Sequence, residues 1–157
     1  MKIKWCTNQK NGLELIEKNL NLCKEYLIKA ENSLRAVNSL KDNIEWQISA
    51  AYYSMYFSLY AILMKIGIKC EIHSCTIAFS EVFLTEFFST EDIELLKIAL
   101  KSRIDLQYYT DRKISSNKKN RLINFAAEFY IKCKEVIENL TENNINKIRS
   151  DYLNSFE

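Results

Sequence analysis

The chain contains few of the residues that interrupt helices. It has two glycines and no proline among 157 residues. A β-rich protein of this length needs many tight turns, and because those turns depend on glycine and proline, their scarcity favours long helices. Two isolated glycines also exclude a glycine-rich loop that cradles phosphates. These absences predict an all-α fold, an antiparallel bundle of four to five helices.

Histidine is almost absent as well, since His73 is the only one. This excludes any catalytic dyad or triad that needs two histidines, and no Glu-x-x-His motif of a di-iron bundle occurs. Cys70, His73 and Cys75 form a Cys-x2-His-x-Cys cluster, but a structural zinc site normally uses a second pair of ligands, which the sequence lacks. We therefore expect no metal and no cofactor, and we expect His73 to cap or pack a helix.

The chain has little net charge and an odd number of cysteines. Lysine and arginine total 22 against 20 acidic residues, so any attraction to nucleic acid must come from a local patch. The five cysteines are scattered, and the first residues, MKIKWCTNQK, contain no apolar signal segment. Together these features predict a cytoplasmic protein with reduced thiols.

One uncharged segment, residues 46–64, is long enough to span a bilayer. It carries Gln47, three serines and four tyrosines through its middle, which disfavours a membrane span. The preferred interpretation is the central helix of the bundle, covered on nearly all sides.

The remaining pattern predicts a single domain over residues 1–157, with a core at about 11–140 and a short tail at 141–157. The first long helix is expected to begin at Asn11, with Glu14 as capping partner. Its apolar seam consists of Ile16, Leu20, Cys23, Leu27, Ala30, Leu34 and Val37. The second helix is expected to have Asp42 as its cap and to end near Lys65, before Gly67.

Three further helices and a short one follow. The third helix is predicted over about 74–88. The fourth begins after a Ser89 cap, with Asp92 as the capping partner, and ends at about Tyr109. The fifth is predicted over about 119–140, and the short one around 145–153. The polar segment 110–120 is expected to be a loop.

An arginine interrupts the apolar stripe of the fourth predicted helix. Ile93, Leu96, Leu100 and Ile104 share one face at about 100° per residue, and Arg103 and Gln107 fall within that face. Since an unpaired buried charge costs on the order of 3 kcal/mol or more, three alternatives follow. Arg103 pairs with a buried acid, extends to solvent at the helix end, or lines a cleft.

A basic segment follows Tyr108 and Tyr109. Its bases are Arg112, Lys113, Lys118, Lys119 and Arg121, and no acid lies among residues 112–121. Cations beside aromatic rings suit nucleic acid, because the cations contact phosphates while the rings stack on bases. A solvated loop is the alternative interpretation.

Four segments in order resemble a HEPN domain, over roughly residues 10–140. They are AAYYSMYFSLYAILMKIGI (50–68), HSCTIAFSEVF (73–83), RIDLQYYTDRK (103–113) and NFAAEFYIKCKEVI (124–137). The resemblance is to small stand-alone prokaryotic HEPN proteins with an Ala-x-Tyr-x3-Tyr second helix. It implies a homodimer whose motif helices face a shared cleft containing Arg103, with His73 away from that cleft. It also implies a minimal nucleotidyltransferase partner, which in one class adds AMP to a tyrosine near the motif.

The chain departs from the family's ribonuclease motif, in which a histidine follows the arginine after four to six residues. Positions 108 and 109 hold Tyr108 and Tyr109 instead. A tyrosine with a pKa of about 10 is a poor base at neutral pH, although it can donate a hydrogen bond or stack on a base. Whether the protein is an enzyme is thus left open, with a non-enzymatic role preferred over a weak endoribonuclease.

Three hypotheses result. The first is an RNA- or nucleotide-binding component of a two-gene toxin–antitoxin-type system, with Arg103 on phosphate and with Gln107, Tyr108, Tyr53 and Tyr56 lining the cleft. The second is an active metal-independent ribonuclease in which Arg103 acts with Tyr108 or Tyr109. The third is a non-catalytic helical interaction module.

Overall fold

The computed structural model describes residues 2–155 and is almost entirely helical. Within these residues the helices are α1 (Lys2–Thr7), α2 (Leu20–Ser39), α3 (Ile44–Ile66), α4 (His73–Phe83), α5 (Thr90–Tyr108), α6 (Ser116–Asn139) and α7 (Glu142–Asn154). Two short strands, β1 (Glu14–Leu15) and β2 (Ile68–Lys69), pair antiparallel. The prediction of an all-α bundle is confirmed.

Helix α3 is the centre of the bundle. It packs against α2, α5 and α6, and its side chains are buried around nearly the whole circumference. The uncharged segment thus lies in the core, as a helix covered on all sides requires. No helix within residues 2–155 has the length and apolarity needed to cross a membrane.

Both ends of α3 have clear local causes. The side chain of Asn43 accepts a hydrogen bond from the backbone N–H of Trp46, so the cap lies one residue after the predicted Asp42. Gly67 ends the helix in the left-handed conformation, with φ of 88°, and its N–H donates to the carbonyl of Leu63. The predicted stop at Gly67 is confirmed.

The predicted start of the first long helix is wrong. Helix α2 begins at Leu20, capped by Asn19, rather than at Asn11. Asn11 has a positive φ of 63°, and the following residues pair with β2 as strand β1. The Asn11–Glu14 spacing fits a capping box, but strand pairing satisfies this backbone instead.

The apolar seam of α2 is only partly as predicted. Leu20, predicted in that seam, is 57% exposed, whereas Cys23, Ala30 and Val37 are buried.

The N-terminal helix α1 is joined covalently to α4, which the sequence did not predict. A disulfide links Cys6 and Cys75, both fully buried, whereas Cys23, Cys70 and Cys133 are free. The expectation that all thiols are reduced is therefore wrong for this pair. Cysteines 69 residues apart carry no spacing signal, so only the fold reveals their proximity.

The C-terminal half contains three capped helices. Ser89 and Asp92 form the predicted capping box of α5, which ends at Tyr108. Helix α6 begins at Ser116 with Ser115 as its cap, so the loop before it is shorter than the predicted segment 110–120. Helix α7 buries Ile145, Ile148 and Tyr152 in the core.

Candidate phosphate-binding site

Arg103 lies on the fourth turn of α5 as a half-buried residue. The buried side chains Ile93, Leu96 and Ala99 hold the preceding turns of α5 against the core. Because residues three and four apart share a face of a helix, Arg103 continues this face toward α3. The guanidinium of Arg103 therefore lies at the boundary between the core and the solvent.

The guanidinium of Arg103 contacts aromatic residues rather than an acid. Its Nη2 donates to Oη of Tyr53 at 2.9 Å, and its central carbon lies 5.3 Å from the Tyr53 ring centroid and 5.8 Å from that of Tyr108. No salt bridge of the described residues includes Arg103, so the alternative of a buried acid partner is wrong for residues 2–155. The Nε of Arg103 is buried and has no hydrogen-bond partner in that part of the chain. The site retains unused donors.

His73 lies beside this arginine, contrary to its expected position away from the cleft. As the first residue of α4, its imidazole stacks on Tyr56 with centroids 4.0 Å apart and an interplanar angle of 6°. Its Nδ1 is 2.6 Å from Oη of Tyr52, and its ring lies 6.1 Å from Tyr53, edge to face. Arg103 and His73 therefore flank the same tyrosine, from two different helices.

The electrostatics of this cluster follow from burial and from Arg103. Burial lowers the pKa of His73 below its ordinary value, and the charge of Arg103 lowers it further. Burial raises the pKa of Tyr52 and of Tyr56 far above the ordinary tyrosine value. At neutral pH the site therefore contains a neutral imidazole, protonated phenols and one fixed positive charge.

Two predicted cleft residues at the end of α5 have different environments. Gln107 is half-buried, and its side-chain nitrogen donates to the carbonyl of Glu45 at 3.4 Å, which joins this end of α5 to the start of α3. Tyr108 is 69% exposed beside Arg103. Tyr109 contacts a different cation, because the guanidinium carbon of Arg112 lies 3.5 Å from its ring centroid. Tyr108 is thus the tyrosine closer to Arg103 by contact.

The basic segment is partly neutralised. Arg112 pairs with Asp105 and Arg121 pairs with Glu91. Lys113, Lys118 and Lys119 form no salt bridge with the described residues, and the latter two lie in the first turns of α6. The segment after Tyr109 is therefore less positively charged at the surface than its sequence predicts.

A shallow groove of about 330 Å³ lies between α4 and α5 on the neighbouring face. Its apolar lining is Ile77, Leu100 and Ile104, with Ser74 and Lys101 among the polar residues. The groove includes the residues that directly follow His73 and Arg103 in the chain. A cleft-like surface is therefore available next to the cluster.

The sulfur and carboxylate groups are not arranged as ligands. Cys75 is bonded to Cys6, and within residues 2–155 no group of three or more His, Cys, Asp or Glu side chains could hold a metal ion. The chemistry of the site therefore depends on N–H and O–H donors and on aromatic faces.

Comparison with known families agrees with this architecture. The family model described as HEPN domain matches residues 16–151, which is most of the chain. The chain therefore belongs to the HEPN domain family, a family of helical and often RNA-related modules. A search of curated proteins finds no match.

The part played by His73 in this cluster is not evident from the sequence. Its contacts with Tyr52 and Tyr56 connect residues separated by 21 and 17 positions, and no periodicity links two different helices. The available signal was the uniqueness of this histidine and its place at the start of a predicted helix.

Proposed function

We propose that the chain is an RNA- or nucleotide-binding HEPN module in which Arg103 binds a phosphate. The observation that carries this proposal is a half-buried guanidinium without a carboxylate partner among the described residues and with an unpartnered Nε. A charge in this position is costly unless an anion compensates it. Phosphate is suited to the role, because two of its oxygens match the parallel N–H groups of a guanidinium.

The surroundings of Arg103 support a nucleic acid or nucleotide as the source of that phosphate. Tyr108 presents an exposed ring next to the guanidinium, on which a base can stack. Lys113, Lys118 and Lys119, which form no salt bridge with residues 2–155, follow along the chain and attract a polyanion. Gln107, Tyr53 and Tyr56 line the cleft in this proposal.

The cellular context that we propose is a two-gene toxin–antitoxin-type pair with a minimal nucleotidyltransferase, in which the chain is a homodimer. Family membership supports this context, since such pairs occur among HEPN proteins. The test is to co-express the chain with the product of the adjacent gene and to examine Tyr108 and Tyr109 by mass spectrometry. A co-purifying nucleotidyltransferase supports the pairing, and an unrelated neighbour that does not bind contradicts it.

The binding function is tested with total cellular RNA in the absence of metal ions. We expect the immobilised wild-type protein to retain RNA at low salt and to release it as salt rises. Arg103→Ala should lose retention. Arg35→Ala is the matched control, because Arg35 is an exposed arginine on α2 that pairs with Glu31. Equal retention by both variants would contradict the role of Arg103.

The same experiment decides between this function and a ribonuclease that uses Tyr108. The contact between Tyr108 and Arg103 favours this tyrosine over Tyr109, whose ring packs on Arg112. Cleavage that disappears in Arg103→Ala and in Tyr108→Phe would make the protein a metal-independent ribonuclease. Neither retention nor cleavage would leave an interaction module as the function.

A further inference from the structure

Three features near Tyr53 favour the binding of an anion. The first is the guanidinium of Arg103, which lacks an acidic partner among the described residues. The second is the N-terminus of the 11-residue helix α4, which no side chain caps because Ile72 occupies the cap position. The third is His73 itself, whose ring lies 6.1 Å from that of Tyr53.

The contact with Tyr52 fixes which nitrogen of His73 carries the proton. Tyr52 is completely buried, and its phenol has the imidazole Nδ1 as its hydrogen-bond partner. Since a buried hydroxyl needs an acceptor, the O–H of Tyr52 donates to Nδ1. The neutral ring then carries its proton on Nε2.

The Nε2–H group is available to a ligand. It has no hydrogen-bond partner within residues 2–155, and it is not among the buried polar atoms without partners, so it reaches solvent. Parallel stacking on Tyr56 fixes the plane of the ring. His73 therefore presents one oriented donor, and it does so without needing a positive charge.

We propose that His73 donates its Nε2–H to the same phosphoryl group that Arg103 binds, so that helices α4 and α5 form a single phosphate site across Tyr53. The inference rests on the proposed binding function and names a second residue of that site. The shared chemistry is a phosphoryl oxyanion, which either an internal RNA phosphodiester or the phosphate of a mononucleotide supplies.

Occupation of this site has a consequence for the protonation of His73. The groups that face the imidazole are Tyr52, Tyr53 and Tyr56 on α3 and Arg103 on α5, and no carboxylate contacts it among the described residues. A bound anion is then the nearest negative charge and raises the pKa of His73. By linkage, phosphate affinity increases as the pH falls through that pKa.

The experiment follows the only imidazole of the chain by ¹⁵N NMR. In the free protein we expect an unprotonated Nδ1 and a protonated Nε2. Addition of uridine monophosphate or of a short single-stranded oligouridylate should shift the Nε2 resonance and raise the pKa of His73. A response to the oligomer alone indicates an internal phosphodiester, whereas a response to the monophosphate indicates a terminal phosphate.

Two variants test the donor without removing the ring packing. His73→Phe keeps an aromatic ring to stack on Tyr56 but has no N–H, and we expect affinity for the responding ligand to fall about tenfold. Tyr52→Phe retains the imidazole but removes the hydrogen bond that keeps the proton on Nε2, so we expect a smaller loss of ligand affinity. Circular dichroism establishes that both variants are folded.

The outcomes separate this inference from the function on which it rests. Ligand binding by fluorescence anisotropy with no change in the His73 resonances, or with full affinity in folded His73→Phe, overturns the role of His73 and leaves Arg103 as the phosphate residue. Absence of binding by the wild-type protein to either ligand overturns both.

Discussion

At the scale of single residues, the central feature is the mutual influence of Arg103 and His73. Burial is the larger cause of the lowered pKa of His73, and the positive charge of Arg103 is the second. Replacing Arg103 by alanine removes the second cause only. We therefore expect the pKa of His73 to rise in Arg103→Ala and to remain below about 6.5, the value of an unburied histidine.

This shift is measured by an NMR titration of the single imidazole. Arg35→Ala, on the exposed face of α2, should leave the titration unchanged. An identical pKa in wild type and Arg103→Ala would show that the two groups do not interact, and the proposed two-helix site would lose its basis.

Gly67 is a residue whose lack of a side chain is structurally required. Its φ of 88° is unfavourable for other residues, and an added Cβ would lie 2.3 Å from Nη1 of Arg149 and 2.6 Å from the carbonyl oxygen of Ile16. That arginine nitrogen also donates to the carbonyls of Ile16 and Ile66, both at 2.9 Å. Gly67→Ala should lower the free energy of unfolding by at least about 2 kcal/mol.

Urea denaturation measures this loss. Asn143→Ala, in the exposed first turn of α7, should change the unfolding free energy by less than about 0.5 kcal/mol. A Gly67→Ala variant as stable as wild type would contradict the left-handed end of α3.

At the scale of the elements, the start of α5 depends on Asp92. Its carboxylate accepts from the backbone N–H and the hydroxyl of Ser89 at 2.7 and 2.8 Å and from Lys132 at 2.6 Å. Burial alone would raise the pKa of Asp92, but these hydrogen bonds outweigh it and the net shift is downward. The stabilisation is thus complete above the unfolded pKa of about 3.9 and is lost as the pH falls through the lower folded value.

Asp92→Asn should therefore lower the unfolding free energy by about 1–2 kcal/mol at neutral pH and weaken its decrease in acid. Glu91→Gln is the matched control, since the neighbouring Glu91 makes an exposed salt bridge with Arg121 and should cost less than about 1 kcal/mol. Equal losses and equal acid profiles in the two variants would contradict the capping role.

The link between α1 and α4 is a second determinant at this scale. The Cys6–Cys75 disulfide spans 69 positions of the chain, and a closed loop of this length corresponds to roughly 4 kcal/mol of stabilisation. Reduction, or Cys6→Ser, should lower the urea midpoint accordingly. Thiol titration of the unfolded, unreduced protein should find the three free cysteines Cys23, Cys70 and Cys133, and five reactive thiols would contradict the bond.

Elements with strong local signals were predictable from the sequence. The uncharged segment predicted α3, Gly67 predicted where α3 ends, and the Ser89–Asp92 spacing predicted where α5 begins. The start of α2 was not predictable, because Asn11 and Glu14 satisfy a local capping rule while pairing with β2 decides the actual conformation. Helix α1 has only six residues and is held by a distant cysteine, so its sequence contains no comparable signal.

At the scale of the whole molecule, the candidate site was predictable only in part. Arg103 was visible as a charge within an apolar stripe, and Tyr53 was predicted to line the same cleft. The contribution of α4 was not visible, since it depends on how three helices pack around Tyr53. Likewise, the salt bridges of Arg112 and Arg121 reduce a basic segment whose acidic partners lie elsewhere in the chain.

The most direct test of the account is the affinity of the protein for single-stranded RNA at low salt. Fluorescence anisotropy with a labelled oligouridylate should give a Kd at least about tenfold weaker for Arg103→Ala than for wild type, as expected for the loss of hydrogen bonds between charged groups. Arg35→Ala should bind like wild type. An Arg103→Ala protein that is folded and binds RNA as tightly as wild type would contradict the proposal that Arg103 is the phosphate-binding residue of this HEPN module.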